Sequence, residues 1–107
     1  MLRTLALLVL ASCGVVSTSS SCDFPKENPP RCQERLDTVS AEAFKGACKV
    51  AMGTESTGKC RTEGRVGGCF LGKQGDGSSV NDWYYAPATR ADATMECSRN
   101  GTSFLEP

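Results

Sequence analysis

The 107-residue chain has room for one small domain, and its twelve basic and twelve acidic residues cancel to zero net charge. Because these charges are scattered and form no basic stripe, the composition excludes a typical nucleic-acid-binding protein. The chain has no histidine, which removes Ser-His and Cys-His nucleophiles and every zinc site that uses an imidazole. We therefore predict a non-enzymatic protein with no cofactor and no metal site.

The first twelve residues are typical of an export signal. Arg3 supplies a positive charge, and residues 5–11 form an apolar run much shorter than the roughly 20 residues of a membrane-spanning helix. No later segment is apolar enough to cross a bilayer, so we expect any membrane attachment at this end. Seven cysteines in a short exported chain indicate an oxidising compartment and a disulfide framework.

Cys13 explains why the number of cysteines is odd. Leu10, Ala11, Ser12 and Cys13 resemble the lipobox of bacterial lipoproteins. In that family the cysteine sulfur receives a diacylglycerol, the signal is removed before the cysteine, and the new amine is usually acylated. Two or three acyl chains anchor a protein firmly, whereas one binds reversibly. The resemblance implies lipidation at Cys13 and leaves six cysteines to form disulfides.

Residues 13–21 are then interpreted as the lipidated cysteine with a flexible tether, because residues 14–21 are small and mostly polar. The position after the modified cysteine is Gly14 and not the acidic residue that the lipoprotein family often has there for inner-membrane retention, which favours the outer membrane. The alternative is an ordinary secretory signal cut between Ser17 and Ser21, which would release a soluble, secreted protein.

The first part of the predicted domain, residues 22–107, begins irregularly. Three prolines predict an extended lead-in over residues 22–32, and residues 32–37 are compatible with a short edge strand. Ser40 is a suitable N-cap for a helix, and Gly53 is placed to end it in a left-handed conformation. The apolar face of this helix is spaced by threes and fours and comprises Ala41, Phe44, Ala47, Cys48, Ala51 and Met52.

The second part has clearer signals. Residues 66–73 and 80–86 predict two strands joined by a hairpin turn over residues 74–79, which contain Gly75 and Gly77. Alternation places Trp83 and Tyr85 on one face and Tyr84 on the other. Thr89 and Asp92 predict a capping box for a helix that runs to Arg99 and ends at Asn100 and Gly101. Residues 102–104 are compatible with a last short strand.

The two predicted helices belong to an internal repeat. Ser40 to Cys48 and Thr89 to Cys97 each span eight positions from cap to cysteine, and a Gly-Thr pair follows each helix. We predict an α+β fold with a small disulfide-stapled antiparallel sheet and two helices, built from a duplicated strand-helix-strand unit.

The pairing of the six cysteines cannot be deduced from the sequence. We favour Cys60 with Cys69, since the glycine-rich stretch between them can bring its ends together. Cys48 with Cys97 would then join the equivalent helices and leave Cys22 with Cys32. In this arrangement the central bridge joins two half-domains.

Four side chains are candidates for contact with a partner. Trp83, Tyr84 and Tyr85 could form an aromatic platform for a glycan or peptide, although burial of one face in the core is the favoured interpretation. Arg65 lies in the turn between Cys60 and Cys69 and could act as the reactive residue of a protease inhibitor.

From Cys32 to Phe104 the chain resembles a class of small, uncharacterised cysteine-rich lipoproteins of myxobacteria and related bacteria. Three segments carry the resemblance: residues 63–69 (Glu-Gly-Arg-Val-Gly-Gly-Cys), residues 84–87 (Tyr-Tyr-Ala-Pro), and the Cys97 helix with its Gly101-Thr102 exit. The resemblance implies an envelope lipoprotein and brings no activity with it.

We therefore expect a membrane-anchored envelope lipoprotein with a small non-enzymatic binding or structural domain. Its expected partners are the membrane, through the lipid anchor, and a protein or envelope glycan, with no nucleic acid. The alternative is a soluble, secreted, disulfide-rich protease inhibitor or peptide- or glycan-binding module.

Overall fold

The computed structural model describes residues 18–38, 41–75 and 77–107. The predicted signal, Cys13 and the Ser40 cap lie outside these residues. The described residues form the following six strands and two helices: β1 (Thr18–Phe24), β2 (Arg31–Thr38), α1 (Ala41–Val50), β3 (Thr54–Thr57), β4 (Arg65–Lys73), β5 (Ser79–Tyr85), α2 (Arg90–Asn100) and β6 (Ser103–Leu105).

The strands form one antiparallel sheet in the order β3-β1-β2-β5-β4-β6. Each half of this sheet contains a hairpin, a helix and a returning edge strand. At the centre Gln33 pairs with Asp82, and these residues are 49 positions apart in the sequence, as are the helix cysteines Cys48 and Cys97. Gln33 and Asp82 are therefore equivalent residues of the two repeats, and their direct pairing marks a pseudo-twofold axis at the centre of the sheet. The α+β fold and its duplication are confirmed, with a strand-strand-helix-strand unit.

Both helices lie on the same face of the sheet. Side chains directly opposite one another on neighbouring strands share a face, and the register places Cys22, Gln33, Asp82 and Cys69 in one row. Cys22 is bonded to Cys48 of α1 and Cys69 to Cys97 of α2. Each half of the sheet therefore carries its own helix, attached by its own disulfide.

The opposite face carries the connection between the two halves. The chain must pass from edge strand β3 to β4 on the other side of the sheet, and residues 58–64, which we call the crossing segment, make this passage. Cys60 in this segment is bonded to Cys32 of β2. Cys32 and Trp83 are opposite each other in register, and both pack in a buried cluster with Cys60 and Tyr85.

All three predicted disulfide pairings are wrong, because the bonds are Cys22–Cys48, Cys32–Cys60 and Cys69–Cys97. Cys22 pairs in register with Gln33 and Cys32 with Asp23, so the two cysteines project from opposite faces. Cys60 and Cys69 are likewise separated by the sheet. Cys48 and Cys97 are each bonded to the strand beneath their own helix.

Three strand predictions need correction. β2 lies in the centre of the sheet, although its sequence predicted an edge strand. β1 begins at Thr18, so residues 18–21 belong to the domain although they were assigned to the tether, and Ser20 and Ser21 are buried. β3 was not predicted. Serine-rich and polar segments have little intrinsic strand signal, and here the pairing of β1 with both neighbours fixes them as strands.

Helix α1 buries Phe44 and Cys48 as predicted, but Ala47, Ala51 and Met52 of the predicted apolar face are exposed, Met52 by 89%. The helix ends at Val50, and Met52 takes the left-handed conformation (φ +66°) that was predicted for Gly53. Gly53 instead packs closely on the Cys22 sulfur and the Phe24 ring, where a Cβ atom would lie 2.3 Å from that sulfur.

Helix α2 agrees closely with its prediction. The Thr89 hydroxyl accepts a hydrogen bond from the Asp92 backbone N–H, the Asp92 carboxylate accepts one from the Thr89 N–H, and Gly101 ends the helix with φ +69°. Val66 to Lys73, the hairpin turn and the aromatic strand are also confirmed to within one residue at each end.

Candidate functional site

Arg65, Trp83 and Tyr85 hold the crossing segment against the sheet. The Arg65 guanidinium lies 3.8 Å above the Trp83 ring, and its Nη2 donates to the carbonyls of Cys60 (2.9 Å) and Arg61 (2.7 Å). The Tyr85 hydroxyl donates to the Arg61 carbonyl at 2.8 Å. The rings of Trp83 and Tyr85 are buried, so these residues form no exposed platform.

A buried carboxylate completes this attachment. Glu34 Oε1 accepts a hydrogen bond from the Cys60 N–H at 2.9 Å, and Oε2 accepts one from Asn81 Nδ2 at 3.0 Å. At the surface Arg61 pairs with Asp23 at 2.8 Å and lies over the Tyr85 ring. These contacts hold the crossing segment and leave Arg65 engaged within its own turn, while Arg65 Nε, Asn81 Oδ1 and Trp83 Nε1 are buried without a hydrogen-bond partner among the described residues.

Tyr84 lies on the helix face, as alternation predicted, and lines a cleft. The cleft encloses about 540 Å³ between residues 27–31, residues 87–88 and helix α2, and we call it the α2 cleft. Its floor includes Tyr84 and Ala93, and its rim includes Pro29, Pro87 and Met95. Its charged lining residues are Glu27, Arg31, Asp92, Glu96 and Arg99.

Arg31 organises the charges on one side of the α2 cleft. Its Nε donates to Glu27 and its Nη1 donates to Asp82, both at 3.0 Å, and its guanidinium lies 4.4 Å above the Phe24 ring. Burial opposes the charge of Arg31, but the two carboxylates outweigh burial and raise its pKa. The cation is thus held in a fixed position by carboxylates from two segments.

The other side of the cleft is helix α2. Asp92 caps the helix, and Glu96 pairs with Arg99 at 2.9 Å. The lining of the cleft therefore carries three carboxylates against two guanidinium groups, a surplus of one negative charge. Asp82, which pairs with Arg31, lies outside the lining.

The Tyr84 hydroxyl has no hydrogen-bond partner within the part of the chain that the structure describes, although only 8% of the residue is exposed. Burial, followed by the negative charges of Asp82 and Glu96, raises its pKa to about 12. Tyr84 therefore stays neutral at physiological pH, with both its O–H and its oxygen lone pairs free for a ligand.

A second cleft of about 410 Å³ lies beside α1 and shares Arg31 with the first. Its lining includes Phe24, Gln33, Phe44 and Ala47, and its second charged residue is Arg35, whose guanidinium lies 5.5 Å from the centre of the Phe44 ring. This α1 cleft is therefore apolar and basic, whereas the α2 cleft is acidic.

Sequence reasoning identified Tyr84 but missed the charged residues of the α2 cleft. One available signal was the spacing of Asp92, Glu96 and Arg99, which places them on one face of the predicted helix. Glu27 and Arg31 also have i,i+4 spacing, but their segment was predicted to be irregular.

Within residues 18–38, 41–75 and 77–107, neither helix is long and apolar enough to cross a membrane. The same residues contain no group of three or more Cys, Asp or Glu side chains arranged to hold a metal ion. The chain matches no family model, and comparisons with curated proteins and with solved structures find no significant match.

Proposed function

We propose that this protein is an envelope lipoprotein, anchored through Cys13, whose disulfide-stapled domain binds a ligand in the α2 cleft. The observation that carries the anchoring is the extent of β1. A secretory cut between Ser17 and Ser21 would remove up to four of the seven residues of this strand, which pairs with both β2 and β3. A cut before Cys13 leaves the whole strand intact.

The position of the α2 cleft supports its role as the ligand site. β1 runs from Thr18, five positions after Cys13, to Phe24, a distance of about 20 Å along the strand. Phe24, Arg31 and Tyr84 are aligned by the sheet register at the far end. An anchor at Cys13 would hold the Thr18 end near the membrane, and the α2 cleft would then face away from it.

The three disulfides support the envelope location, because such bonds persist in oxidising compartments. The alternative of a soluble inhibitor with Arg65 as its reactive residue gains no support, since the Arg65 guanidinium is bonded to carbonyls of its own turn.

Labelling with palmitate, fractionation and the mass of the N-terminal peptide test the anchor. We expect the wild-type protein to carry label and to sediment with membranes, and Cys13→Ser to carry none. Ser17→Ala is the matched control and should behave as wild type. An unlabelled wild-type protein that starts between Ser17 and Ser21 would contradict the proposal.

A further inference from the structure

We propose that the α2 cleft recognises an aliphatic primary ammonium group, as on a lysine side chain of a peptide. The inference rests on the proposed function only in taking this cleft as the ligand site. It specifies the chemistry of the ligand, which the fold and the sequence leave open.

The Tyr84 hydroxyl is the first reason. It is the polar tip of a side chain that is more than nine-tenths buried, it reaches the cleft, and no described residue hydrogen-bonds to it. The hydroxyl is not among the side-chain atoms shut off from solvent, so a molecule in the cleft can reach it, and its oxygen can accept a hydrogen bond from a donor there. An ammonium has three N–H donors, one of which can bond the phenol oxygen.

The charge balance is the second reason, and it is independent of Tyr84. Among the lining residues Glu27, Asp92 and Glu96 outnumber Arg31 and Arg99 by one charge, and Asp82, outside the lining, places a further carboxylate on Arg31. Both guanidinium groups already have carboxylate partners, Arg31 at 3.0 Å and Arg99 at 2.9 Å. An anionic ligand would have to displace those carboxylates, whereas a cation neutralises the surplus.

The walls of the cleft suit an aliphatic stem. Pro29, Pro87 and Ala88 line one side, and Met95 of α2, 59% exposed, lines the other. Methionine adapts to irregular apolar groups, and a lysine stem gains by covering apolar surface while its ammonium reaches polar partners. Apolar walls beside partly exposed carboxylates match the two ends of this side chain.

The experiment is a titration of the full mature chain, with its disulfides intact, with the probes named below. Binding is monitored by changes in amide chemical shifts and by calorimetry. The probes are a blocked tripeptide with a central lysine, the same peptide with norleucine or with acetyl-lysine, free 1,5-diaminopentane, and a neutral oligosaccharide of N-acetylglucosamine. We expect the lysine peptide to shift amides of α2 and of residues 27–31, with about tenfold weaker binding of the norleucine and acetyl-lysine peptides. Diaminopentane shows whether a free amine suffices or a peptide is required.

Two variants and a control locate the ammonium. Tyr84→Phe should weaken the lysine peptide about 3- to 10-fold and Glu96→Gln about 10-fold, since each removes one hydrogen-bond or charge partner. Glu42→Gln on α1, where the carboxylate is 91% exposed and distant from the cleft, should change nothing. Thermal unfolding of each variant establishes that it is folded.

Equal affinity for the lysine and norleucine peptides, or lysine binding unchanged by Glu96→Gln, overturns the ammonium inference. If only the neutral oligosaccharide of N-acetylglucosamine changes the amide chemical shifts of cleft residues, the ammonium inference is also overturned. The cleft would then remain the ligand site. Lysine-peptide shifts confined to other parts of the chain overturn both the inference and the proposed site. The palmitate experiment tests the anchor separately.

Discussion

The two halves of the sheet share one topology but differ in how much supports each helix. Helix α1 is attached by Cys22–Cys48 and packs in a cluster of four buried residues that includes Phe24 and Phe44. Helix α2 is attached by the equivalent Cys69–Cys97, and its cluster gains three partly buried residues, Val66, Leu71 and Phe104. The duplication preserved the bridge and varied the packing around it.

The helix ends show the same relation in more detail. Met52 and Gly101 occupy equivalent positions, with φ of +66° and +69°. In each half the next residue donates its backbone N–H to the helix cysteine carbonyl at 2.9 Å, from Gly53 to Cys48 and from Thr102 to Cys97. Both helices thus end in a Schellman motif. The Gly-Thr pairs that suggested the repeat are one position out of register in the structure.

The clefts beside the helices have diverged in charge. The α1 cleft is lined by Arg31 and Arg35 without a carboxylate, while the α2 cleft carries a surplus of acidic groups. A duplicated framework can therefore hold two different surfaces, because charged side chains at its edge change without altering the register of the sheet.

Removal of either helix disulfide should have the largest effect. We expect Cys22→Ala/Cys48→Ala and Cys69→Ala/Cys97→Ala each to lower the free energy of unfolding by about 3–4 kcal/mol, because the sequence separations of 26 and 28 are similar. Amide hydrogen exchange should distinguish the two helices. We expect the amides of α1 to exchange through local opening and those of α2 only through global unfolding. Equal protection of the two helices would refute the difference in support.

Gly53→Ala should cost about 2–3 kcal/mol, since the new methyl group meets the Cys22 sulfur and the Phe24 ring and the surrounding structure must shift. The measurement is the denaturant midpoint. Gly46→Ala in α1, where the added methyl meets open space, is the matched control and should stabilise the protein by about 1 kcal/mol. Tolerance of Gly53→Ala would show that the packing between this turn and the disulfide is loose.

Substitution of the left-handed residue that ends each helix should change the stability of the protein in opposite directions in the two halves. Gly101→Ala should destabilise the protein by about 1 kcal/mol, because its left-handed conformation is unfavourable for a residue with a Cβ atom. Met52→Gly should stabilise it by about 0.5–1 kcal/mol for the same reason. Thermal unfolding of both variants measures the difference, and effects of the same sign would contradict the equivalence of the two positions.

Ionisation of the two tyrosines should have no effect at neutral pH and a measurable one in alkali. The fold raises the pKa of Tyr84 from 10.0 to about 12, by burial and then by Asp82 and Glu96. Burial also raises the pKa of Tyr85, opposed by Arg65 and Arg61. The folded chain holds these protons more tightly than the unfolded chain, so this stabilisation is complete below about pH 10 and is lost as pH rises towards about 12.

Tyrosinate absorbance tests this directly, since the chain has two tyrosines. In wild type the last ionisation should occur near pH 12, and it should disappear in Tyr84→Phe. Ionisation of Tyr84 near pH 10, as in an unfolded chain, would show that neither burial nor the carboxylates of Asp82 and Glu96 act on its hydroxyl, which would contradict the description of the α2 cleft.

Strong local sequence signals were sufficient to predict the structure of their own segments. The capping box at Thr89 and Asp92, the Gly101 exit and the alternation of Trp83, Tyr84 and Tyr85 depend on neighbours a few residues away, and all were predicted. The helical spacing of Phe44 and Cys48 was also sufficient. The prediction that Met52 is buried was wrong because the helix ends two residues before it, and periodicity alone does not show where a helix ends.

The sequence by itself determined the α+β composition, the repeat, the second helix with both its ends, and the participation of six cysteines in disulfides. Tertiary structure alone decided which cysteines meet, the central place of β2, the strand over residues 18–21, and the assembly of the α2 cleft from segments far apart in the chain. The physical reason is that caps and alternation depend on local backbone geometry. A disulfide or a cleft depends on the face and register that pairing between distant strands imposes.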